Sequence, residues 1–176
     1  MNKRSFFEGY YEIIELNKKH IPSYNLQNFL FNMIHNDFGY EFIPQYHKDI
    51  MDMETYYLKP ARNNFFLAIL ETRKLIGTIG IRAYDKDFPL FKDIYEPKTT
   101  ASIWRVFVDN DWRRNGVAST LVRWGEKYCR EKGYEKIYLH TQKNVNGSLD
   151  FWLSNGYKIV NDTENRLKTV HMEKKL

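Results

Sequence analysis

Hydrophobic and polar positions follow two different periods along the first third of the chain. Residues 10–17 (YYEIIELN) switch between apolar and polar side chains at short intervals, which predicts a strand. After Pro22, apolar positions recur every three or four residues and predict an amphipathic helix; they are Leu26, Phe29, Leu30, Met33 and Ile34. A weaker helical pattern covers residues 45–58 and ends before Pro60.

The middle of the chain is dominated by residues that favour strands. Residues 63–84 predict two strands on either side of a polar turn, Glu71 to Lys74. Residues 85–100 combine prolines with charges of both signs, so we interpret them as a loop. Residues 101–111 (ASIWRVFVDND) predict a further strand, which leads directly into a basic segment that contains a glycine.

The last third of the chain returns to a helical period and then to strands. Beyond Gly116, small and apolar residues repeat at helical spacing as far as Gly133, which predicts a helix ended by a glycine. Residues 135–142 predict a strand, residues 146–155 a short helix, and residues 157–175 a closing hairpin. This order predicts one domain over residues 1–176, with a mixed α/β sheet that has helices on both faces.

Composition and charge narrow the classes of partner. The chain has 176 residues and a formal net charge of +5, which favours an anionic partner. Its basic residues are scattered, so a local anion site is favoured over a nucleic-acid-binding surface. The single cysteine, Cys129, excludes an intramolecular disulfide and a cysteine-cluster metal site, and we expect no metal.

The distribution of apolar residues also bears on location. No apolar run approaches the length of a membrane-spanning helix, and residues 1–12 lack the apolar stretch of a signal peptide. We therefore expect a cytoplasmic protein with no membrane partner.

Residues 111–119 (DWRRNGVAS) carry the clearest chemical signal. They place two arginines and a glycine directly before a predicted helix. One interpretation is a charged surface turn in which glycine allows an unusual dihedral angle. The other is an anion-binding loop, in which unpaired helix N–H groups and arginine side chains surround a phosphate. The glycine pattern is neither that of a dinucleotide-binding fold nor that of a Walker A loop.

Three stretches resemble the GNAT superfamily of N-acetyltransferases, and the order of elements matches over residues 5–175. Residues 113–118 (RRNGVA) are similar to the family's Q/R-x-x-G-x-G/A loop. Residues 103–111 (IWRVFVDND) resemble the strand before that loop, and residues 151–160 (FWLSNGYKIV) resemble the family's closing helix-to-strand segment. The resemblance implies a mixed, mostly antiparallel sheet of six to seven strands and acetyl-CoA as co-substrate.

The same resemblance implies a set of residues that bind acetyl-CoA. Main-chain groups of Val106 and Val108, with Phe107 between them, would pair with the pantetheine amides. The loop amides would surround the pyrophosphate, and an arginine side chain would add charge-assisted hydrogen bonds; the residues are Arg113, Arg114, Asn115, Gly116, Val117 and Ala118.

Two positions depart from the family pattern. Trp152 stands where the family often has a tyrosine that protonates the departing thiolate, and an indole is not an acid of useful strength. We expect Trp152 to keep only the packing part of that role, against the CoA arm. Val145 stands where an asparagine is often found, and we expect the neighbouring Asn146 to replace it.

The acceptor amine must be neutral before it can attack a thioester. Deprotonating a lysine-like amine of pKa near 10.4 at pH 7 costs about 4.6 kcal/mol, whereas an α-amine near 7.8 costs about 1 kcal/mol. Ser102 stands where some family members carry a glutamate base, which favours an acceptor of low pKa or a base from elsewhere. Loop carboxylates are the candidate bases, namely Glu71, Asp85 and Glu41.

Two further segments have open interpretations. His140, at the end of a strand, is a candidate base, although a structural or surface role is the commoner one for a single histidine. The loop 37–42 (DFGYEF) either lines the acceptor site or is packed down by its own aromatic residues.

The sequence therefore predicts an acetyl-CoA-dependent N-acetyltransferase in which a primary amine attacks the thioester directly. A non-catalytic CoA-binding or sensing module is the alternative, and a small nucleic-acid-binding domain is the least favoured one. A homodimer is compatible with the predicted N-acetyltransferase.

Overall fold

The computed structural model describes residues 10–176, and the stretch 1–9 lies outside the described residues. The described chain forms two compact units. One unit contains the residues up to Arg82 together with Trp104–Gly125, and the other contains Ala83–Ile103 and Glu126–Leu176.

The secondary structure follows the predicted order. The elements are β1 (Tyr11–Glu15), α1 (His20–Ser23), α2 (Leu26–Phe38), α3 (Lys48–Met51), a π-helical turn (Glu54–Leu58), β2 (Asn64–Leu70), β3 (Leu75–Ala83), a 3-10 turn (Pro89–Phe91), β4 (Thr100–Val108), a 3-10 turn (Asn110–Trp112), α4 (Val117–Glu131), β5 (Lys136–Gln142), α5 (Ser148–Ser154), β6 (Lys158–Asp162) and β7 (Thr169–Lys175).

The first unit is built on the antiparallel strands β1, β2 and β3. α2 buries the apolar stripe that the sequence predicts against alternate residues of β2. The buried residues of this core include Leu26, Leu30, Met33, Ile34, Phe65, Leu67 and Ile69.

The start of α4 lies very close to β3. A Cβ atom added at Gly77 would approach Leu121 Cδ1 to 3.0 Å, and both the Phe107 carbonyl oxygen and Val117 Cγ1 to 3.2 Å. The absence of a side chain at Gly77 therefore allows the first turns of α4 to lie this close to the strand.

The second unit contains three strand pairings. The start of β4 runs parallel to β5, β5 pairs antiparallel with β7, and β7 pairs antiparallel with β6. Its core includes an aromatic cluster of Tyr84, Phe91, Tyr95 and Tyr138.

The predicted fold class is confirmed, because the structure is mixed α/β with seven strands that are mostly antiparallel. The prediction of one helix over residues 45–58 is wrong, because the segment contains two separate elements, the four-residue α3 and a π-helical turn. The predicted loop 85–100 contains a 3-10 turn and the first residue of β4. Within residues 10–176, no helix has the length and apolar composition needed to cross a membrane.

Candidate functional site

The loop before α4 contains two left-handed residues. Arg114 has φ +63° and Gly116 has φ +75°, and α4 begins at Val117. A Cβ atom added at Gly116 would meet no heavy atom within 4 Å, so open space lies beside this position. We call residues 113–118 the cradle.

The cradle has the properties of an anion site. The first N–H groups of a helix have no carbonyl partner four residues earlier, and Val117 and Ala118 carry such groups at the start of α4. The first turn of α4 contains no acidic residue, and Arg114 is exposed beside it. This arrangement favours a phosphate or another compact anion.

The segment leading into the cradle is tied to β3. The Asp109 N–H donates to the Ile76 carbonyl at 2.8 Å. The Asp109 carboxylate accepts from the Asp111 N–H at 3.0 Å and pairs with Lys74 Nζ at 3.0 Å. Because both the main chain and the side chain of Asp109 are held, the cradle starts from a fixed point.

Arg113 is already paired within the protein. Its Nη2 donates to both carboxylate oxygens of Asp37, at 2.6 and 2.9 Å, and its Nε donates to the Val108 carbonyl at 3.0 Å. The side chain therefore links β4, the cradle and the end of α2. Arg114 is the cradle arginine whose guanidinium has no protein partner among residues 10–176.

The main chain of β4 presents one edge away from β3. Successive residues of a strand direct their N–H and C=O groups to opposite edges. Asp109 bonds to β3 through its N–H, so the polar main-chain groups of Val108, and of Val106 two residues earlier, belong to the other edge. The Val108 carbonyl fits this assignment, because it accepts from the Arg113 side chain.

β4 contains one residue in an unusual conformation for a strand. Arg105 has φ +51°, in the left-handed region, which costs an L-residue roughly 1–2 kcal/mol. Its carbonyl oxygen accepts a hydrogen bond from Thr78 Oγ1 at 2.8 Å. The conformation persists because contacts from other elements hold it.

An ion pair with the buried Asp49 carboxylate holds the partly buried Arg105 side chain. Arg105 Nη2 donates to Asp49 Oδ1 at 2.6 Å and to the Tyr46 carbonyl at 2.7 Å, and Nε donates to Asp49 Oδ2 at 3.0 Å. The Tyr57 hydroxyl donates to the same carboxylate at 2.6 Å. Asp49 is only 3% exposed, and both of its carboxylate oxygens accept hydrogen bonds from protein donors, as a buried charge requires.

The electrostatics of this group follow from burial and pairing. Burial pushes the pKa of Asp49 upward, but the hydrogen bonds and charge of Arg105, with the Tyr57 hydroxyl, bring it below its ordinary value. Burial and the Asp49 carboxylate raise the pKa of Tyr57 well above its ordinary value. Asp49 is therefore ionised and Tyr57 neutral at neutral pH.

The loop 37–42 is packed by its own aromatic residues. Phe38 stacks with Tyr40 at 6.0 Å between ring centroids and contacts Phe107 of β4 edge-on at 6.4 Å. Phe42 packs against His47, whose Nδ1 accepts from the Ile43 N–H at 3.0 Å. These contacts support the packing interpretation of the loop and place its first aromatic beside β4.

The second unit contains the point where β4 and β5 stop pairing. Their ladder covers three residue pairs and ends at Ser102 and Tyr138, although β5 continues to Gln142. The Tyr138 hydroxyl lies 2.7 Å from His171 Nδ1, and burial, followed by the charge of Lys86, lowers the pKa of His171. His140 is exposed and lies directly opposite His171 in the β5–β7 ladder.

Trp152 and Asn146 also belong to the second unit. Trp152 is buried in α5, with its ring 5.1 Å from that of Tyr157 and 4.9 Å from that of Phe151. Asn146 is exposed in the turn before α5. Their predicted roles beside the CoA arm stay predictions.

The candidate bases lie on exposed loops. Glu41 pairs with His35 at 3.1 Å, Glu71 lies in the turn after β2, and Asp85 follows β3 in the second unit. The catalytic role of all three stays a prediction.

Sequence reasoning missed Arg105 and Asp49. A signal for Asp49 was present, because Asp49, Met53 and Tyr57 are spaced four residues apart, which puts a carboxylate on an apolar helical stripe. For Arg105 the signal was a single charge inside the apolar run 103–108. Neither signal identifies the partner.

Comparison with known families agrees with the fold. The model of the Acetyltransferase (GNAT) family matches residues 28–157. The chain belongs to this family, as its sequence resemblance predicted.

Curated relatives are similar over part of their length. The chain is 25% identical over 118 residues to N-acetylaspartate synthetase from Danio rerio, covering 67% of this chain and 38% of that protein. It is 28% identical over 110 residues to human N-acetyltransferase 8, covering 62% of this chain and 45% of that protein. The chain thus spans less than half the length of these two relatives.

Solved structures share the fold over nearly the whole chain. An acetyltransferase of the GNAT family from Staphylococcus aureus Mu50 has a TM-score of 0.75 and 22% identity, covering 94% of this chain and 99% of that one. The paia N-acetyltransferase from Thermoplasma acidophilum, solved in complex with coenzyme A, has a TM-score of 0.66 and 18% identity, covering 94% and 99%.

Proposed function

We propose that this protein is an acetyl-CoA-dependent N-acetyltransferase that acetylates a primary amine. The observation that carries the proposal is the cradle: a start of α4 with no acidic residue in its first turn, open space beside the left-handed Gly116, and the exposed Arg114. Membership of the GNAT family supports acetyl-CoA as the ligand, as does the coenzyme A complex of a structural relative.

The bound co-substrate would use two parts of the first unit. The pyrophosphate would accept hydrogen bonds from main-chain N–H groups of the cradle and from Arg114. The pantetheine arm would pair with the edge of β4 that faces away from β3, at Val106 and Val108, in the manner of an added strand and beside the Arg113 side chain that binds the Val108 carbonyl. Arg113 would act indirectly, by holding the cradle to Asp37 and to β4.

The chemical step needs no covalent enzyme intermediate. The lone pair of a neutral amine forms the new C–N bond at the thioester carbonyl, and the C–S bond breaks. CoA leaves as a thiolate, because a thiol of pKa about 8.5 is a tolerable leaving group near neutral pH. The amine releases its proton to water or to a base through water.

An acceptor with an α-amine fits this chain best. Ser102, in the position of a family glutamate, cannot act as a base, so an amine of low pKa is favoured. The name of the relative N-acetylaspartate synthetase also describes acetylation of an amino-acid amine.

A cytoplasmic location and a homodimer stay predictions, as does the single-domain organisation.

The decisive experiment is calorimetric titration with acetyl-CoA, using the wild type and Gly116→Trp. An indole at Gly116 would fill the open space of the cradle, so we expect micromolar-range binding by the wild type and its loss in the variant. Gly133→Trp is a matched control, because Gly133 has φ +74° and equally open surroundings but follows the opposite end of α4. We expect the control to bind normally.

The outcomes separate the alternatives. Absence of binding by the wild type would reject the CoA site, and residues 113–118 would be a charged turn. Equal loss in both glycine variants would indicate a folding defect rather than a blocked site.

A non-catalytic CoA-binding module is the second candidate, because Trp152 replaces the usual proton donor. Release of free CoA from acetyl-CoA, measured with a thiol reagent across amines of each class, distinguishes the two. Binding without release with any amine would favour the module.

A further inference from the structure

Arg105 is held in its left-handed conformation from two sides. Thr78 Oγ1 donates to its carbonyl oxygen at 2.8 Å, and Asp49 accepts two hydrogen bonds from its guanidinium at 2.6 and 3.0 Å. A left-handed arginine within a strand is uncommon, and such residues collect at functional positions where the surrounding structure maintains them.

Asp49 is in turn fixed by a residue from a separate turn. The Tyr57 hydroxyl donates to Asp49 Oδ2 at 2.6 Å, and Tyr57 is 1% exposed. The Tyr46 carbonyl accepts from the same guanidinium at 2.7 Å. The Nε and Nη2 groups of Arg105 are therefore bound by Asp49 of α3 and by the Tyr46 carbonyl, and Asp49 is itself held by the π-helical turn through Tyr57.

The conformation of Arg105 has a direct consequence for its neighbour. The N–H of Val106 belongs to the peptide group that follows Arg105, so the Arg105 dihedral angles determine where that N–H points. If Arg105 adopted an ordinary strand conformation, this peptide group would rotate and the register of the β4 edge that faces away from β3 would change.

We infer that Asp49 and Tyr57 are positioning residues which, through Arg105, orient the Val106 main chain for the pantetheine arm of acetyl-CoA. This inference rests on the proposed function. It assigns to residues of α3 and of the π-helical turn a role in co-substrate binding that acts through Arg105 and not through direct contact.

The test compares two substitutions of the same residue. Glycine adopts the left-handed region freely and alanine does not, while both remove the guanidinium. We expect Arg105→Ala to bind acetyl-CoA at least tenfold more weakly than the wild type and Arg105→Gly to stay within threefold, measured by titration calorimetry. Glycine would thus rescue binding although it lowers strand propensity.

A shorter ligand provides the control for folding. Adenosine 3′-phosphate 5′-diphosphate carries the phosphates of CoA and lacks the pantetheine arm. We expect both Arg105 variants to bind it with wild-type affinity, because the cradle is intact. Arg73→Ala is the matched protein control: Arg73 is an exposed left-handed arginine at φ +66° in the β2–β3 turn, and its loss should leave acetyl-CoA binding unchanged.

Asp49→Asn tests the positioning residue itself. The amide keeps the size of the carboxylate but pairs poorly with the guanidinium, so we expect acetyl-CoA affinity to fall three- to tenfold. In the Arg105→Gly background the same substitution should have no further effect, because the residue it positions is gone.

Several results would overturn the inference. Equal losses in Arg105→Ala and Arg105→Gly would mean that the guanidinium acts directly, and unchanged binding in Arg105→Ala would mean that its conformation is irrelevant. If Arg105→Ala does not fold, the inference would instead be overturned by an Asp49→Asn variant that binds acetyl-CoA with wild-type affinity. Failure of the wild type to bind acetyl-CoA would instead reject the proposed function, and this inference with it.

Discussion

The Nη2 atom of Arg113 donates hydrogen bonds to both carboxylate oxygens of Asp37, at 2.6 Å to Oδ1 and 2.9 Å to Oδ2. Its Nε is also bound, to the Val108 carbonyl. The two adjacent arginines of the cradle are therefore not equivalent. Arg113 is part of the internal structure of the first unit, and Arg114 is available to a ligand.

The two arginines should separate stability from binding. We expect Arg114→Ala to weaken acetyl-CoA binding three- to tenfold, because a charge-assisted hydrogen bond to phosphate is lost. We expect Arg113→Ala to lower the free energy of unfolding by about 1 kcal/mol, because it breaks a partly exposed ion pair. Calorimetric titration measures the first effect and urea denaturation the second.

Asp37→Asn supplies the control for this pair of variants. Its free energy of unfolding should fall by about as much as that of Arg113→Ala. The free energy of unfolding of the double variant should fall little further than that of either single variant. A large loss of acetyl-CoA affinity in Arg113→Ala with unchanged stability would contradict this division of roles.

The close approach at Gly77 predicts a contrast between two glycines. Gly77→Ala should lower the free energy of unfolding by about 1–3 kcal/mol, because its Cβ atom would lie 3.2 Å from the Phe107 carbonyl oxygen, which cannot move without β4. Gly125→Ala should be much milder. Its Cβ atom would meet the ends of Ile79 and Ile81 side chains, and alanine favours the helix by about 1 kcal/mol. Equal losses by chemical denaturation would contradict the contrast.

His47 predicts a loss of stability on mild acidification. Burial, followed by the charge of Arg105, lowers the pKa of His47 below its ordinary value of 6.5. The unfolded chain therefore binds a proton that the folded chain does not, so the free energy of unfolding falls as the pH drops below about 6.5. We expect denaturation at pH 7.5 and 5.5 to reveal this decrease.

His47→Asn isolates that contribution. The asparagine oxygen can accept the Ile43 N–H in place of Nδ1, and it does not titrate. Its stability should depend less on pH than that of the wild type, with the remainder including His171. The depressed pKa of Asp49 acts in a separate window, below about pH 4, where protonation of the carboxylate removes stability. An unchanged pH dependence in His47→Asn would refute the assignment.

Trp152 predicts different results for substitution by alanine and by tyrosine. Trp152→Ala should lower the free energy of unfolding by about 3–5 kcal/mol, because the side chain is buried against Tyr157. Trp152→Tyr should keep most of that stability and change the rate of CoA release less than threefold, since the thiolate leaves without an acid. A rate increase above tenfold in Trp152→Tyr would show that proton donation limits the wild type.

The element order was predictable because it depends on local pattern. The stripe from Leu26 to Ile34 predicted α2, and the polar turn at Glu71 to Lys74 predicted the pairing of β2 with β3. The glycine before α4 predicted a loop with an unusual dihedral angle, and Gly116 does adopt the left-handed conformation, with φ +75°. The segment 45–58 failed because its helical period is interrupted, and a π-helical turn has no simple sequence pattern.

The sequence by itself determined the family, the order of strands and helices, and the position of the candidate CoA loop. These follow from periodicity and from a motif of adjacent residues. Only the tertiary structure decided which arginine of that loop is free, and that Asp49 and Arg105 are partners 56 residues apart along the chain. Such pairings depend on which side chains the fold brings within hydrogen-bond distance, and no local spacing encodes that distance.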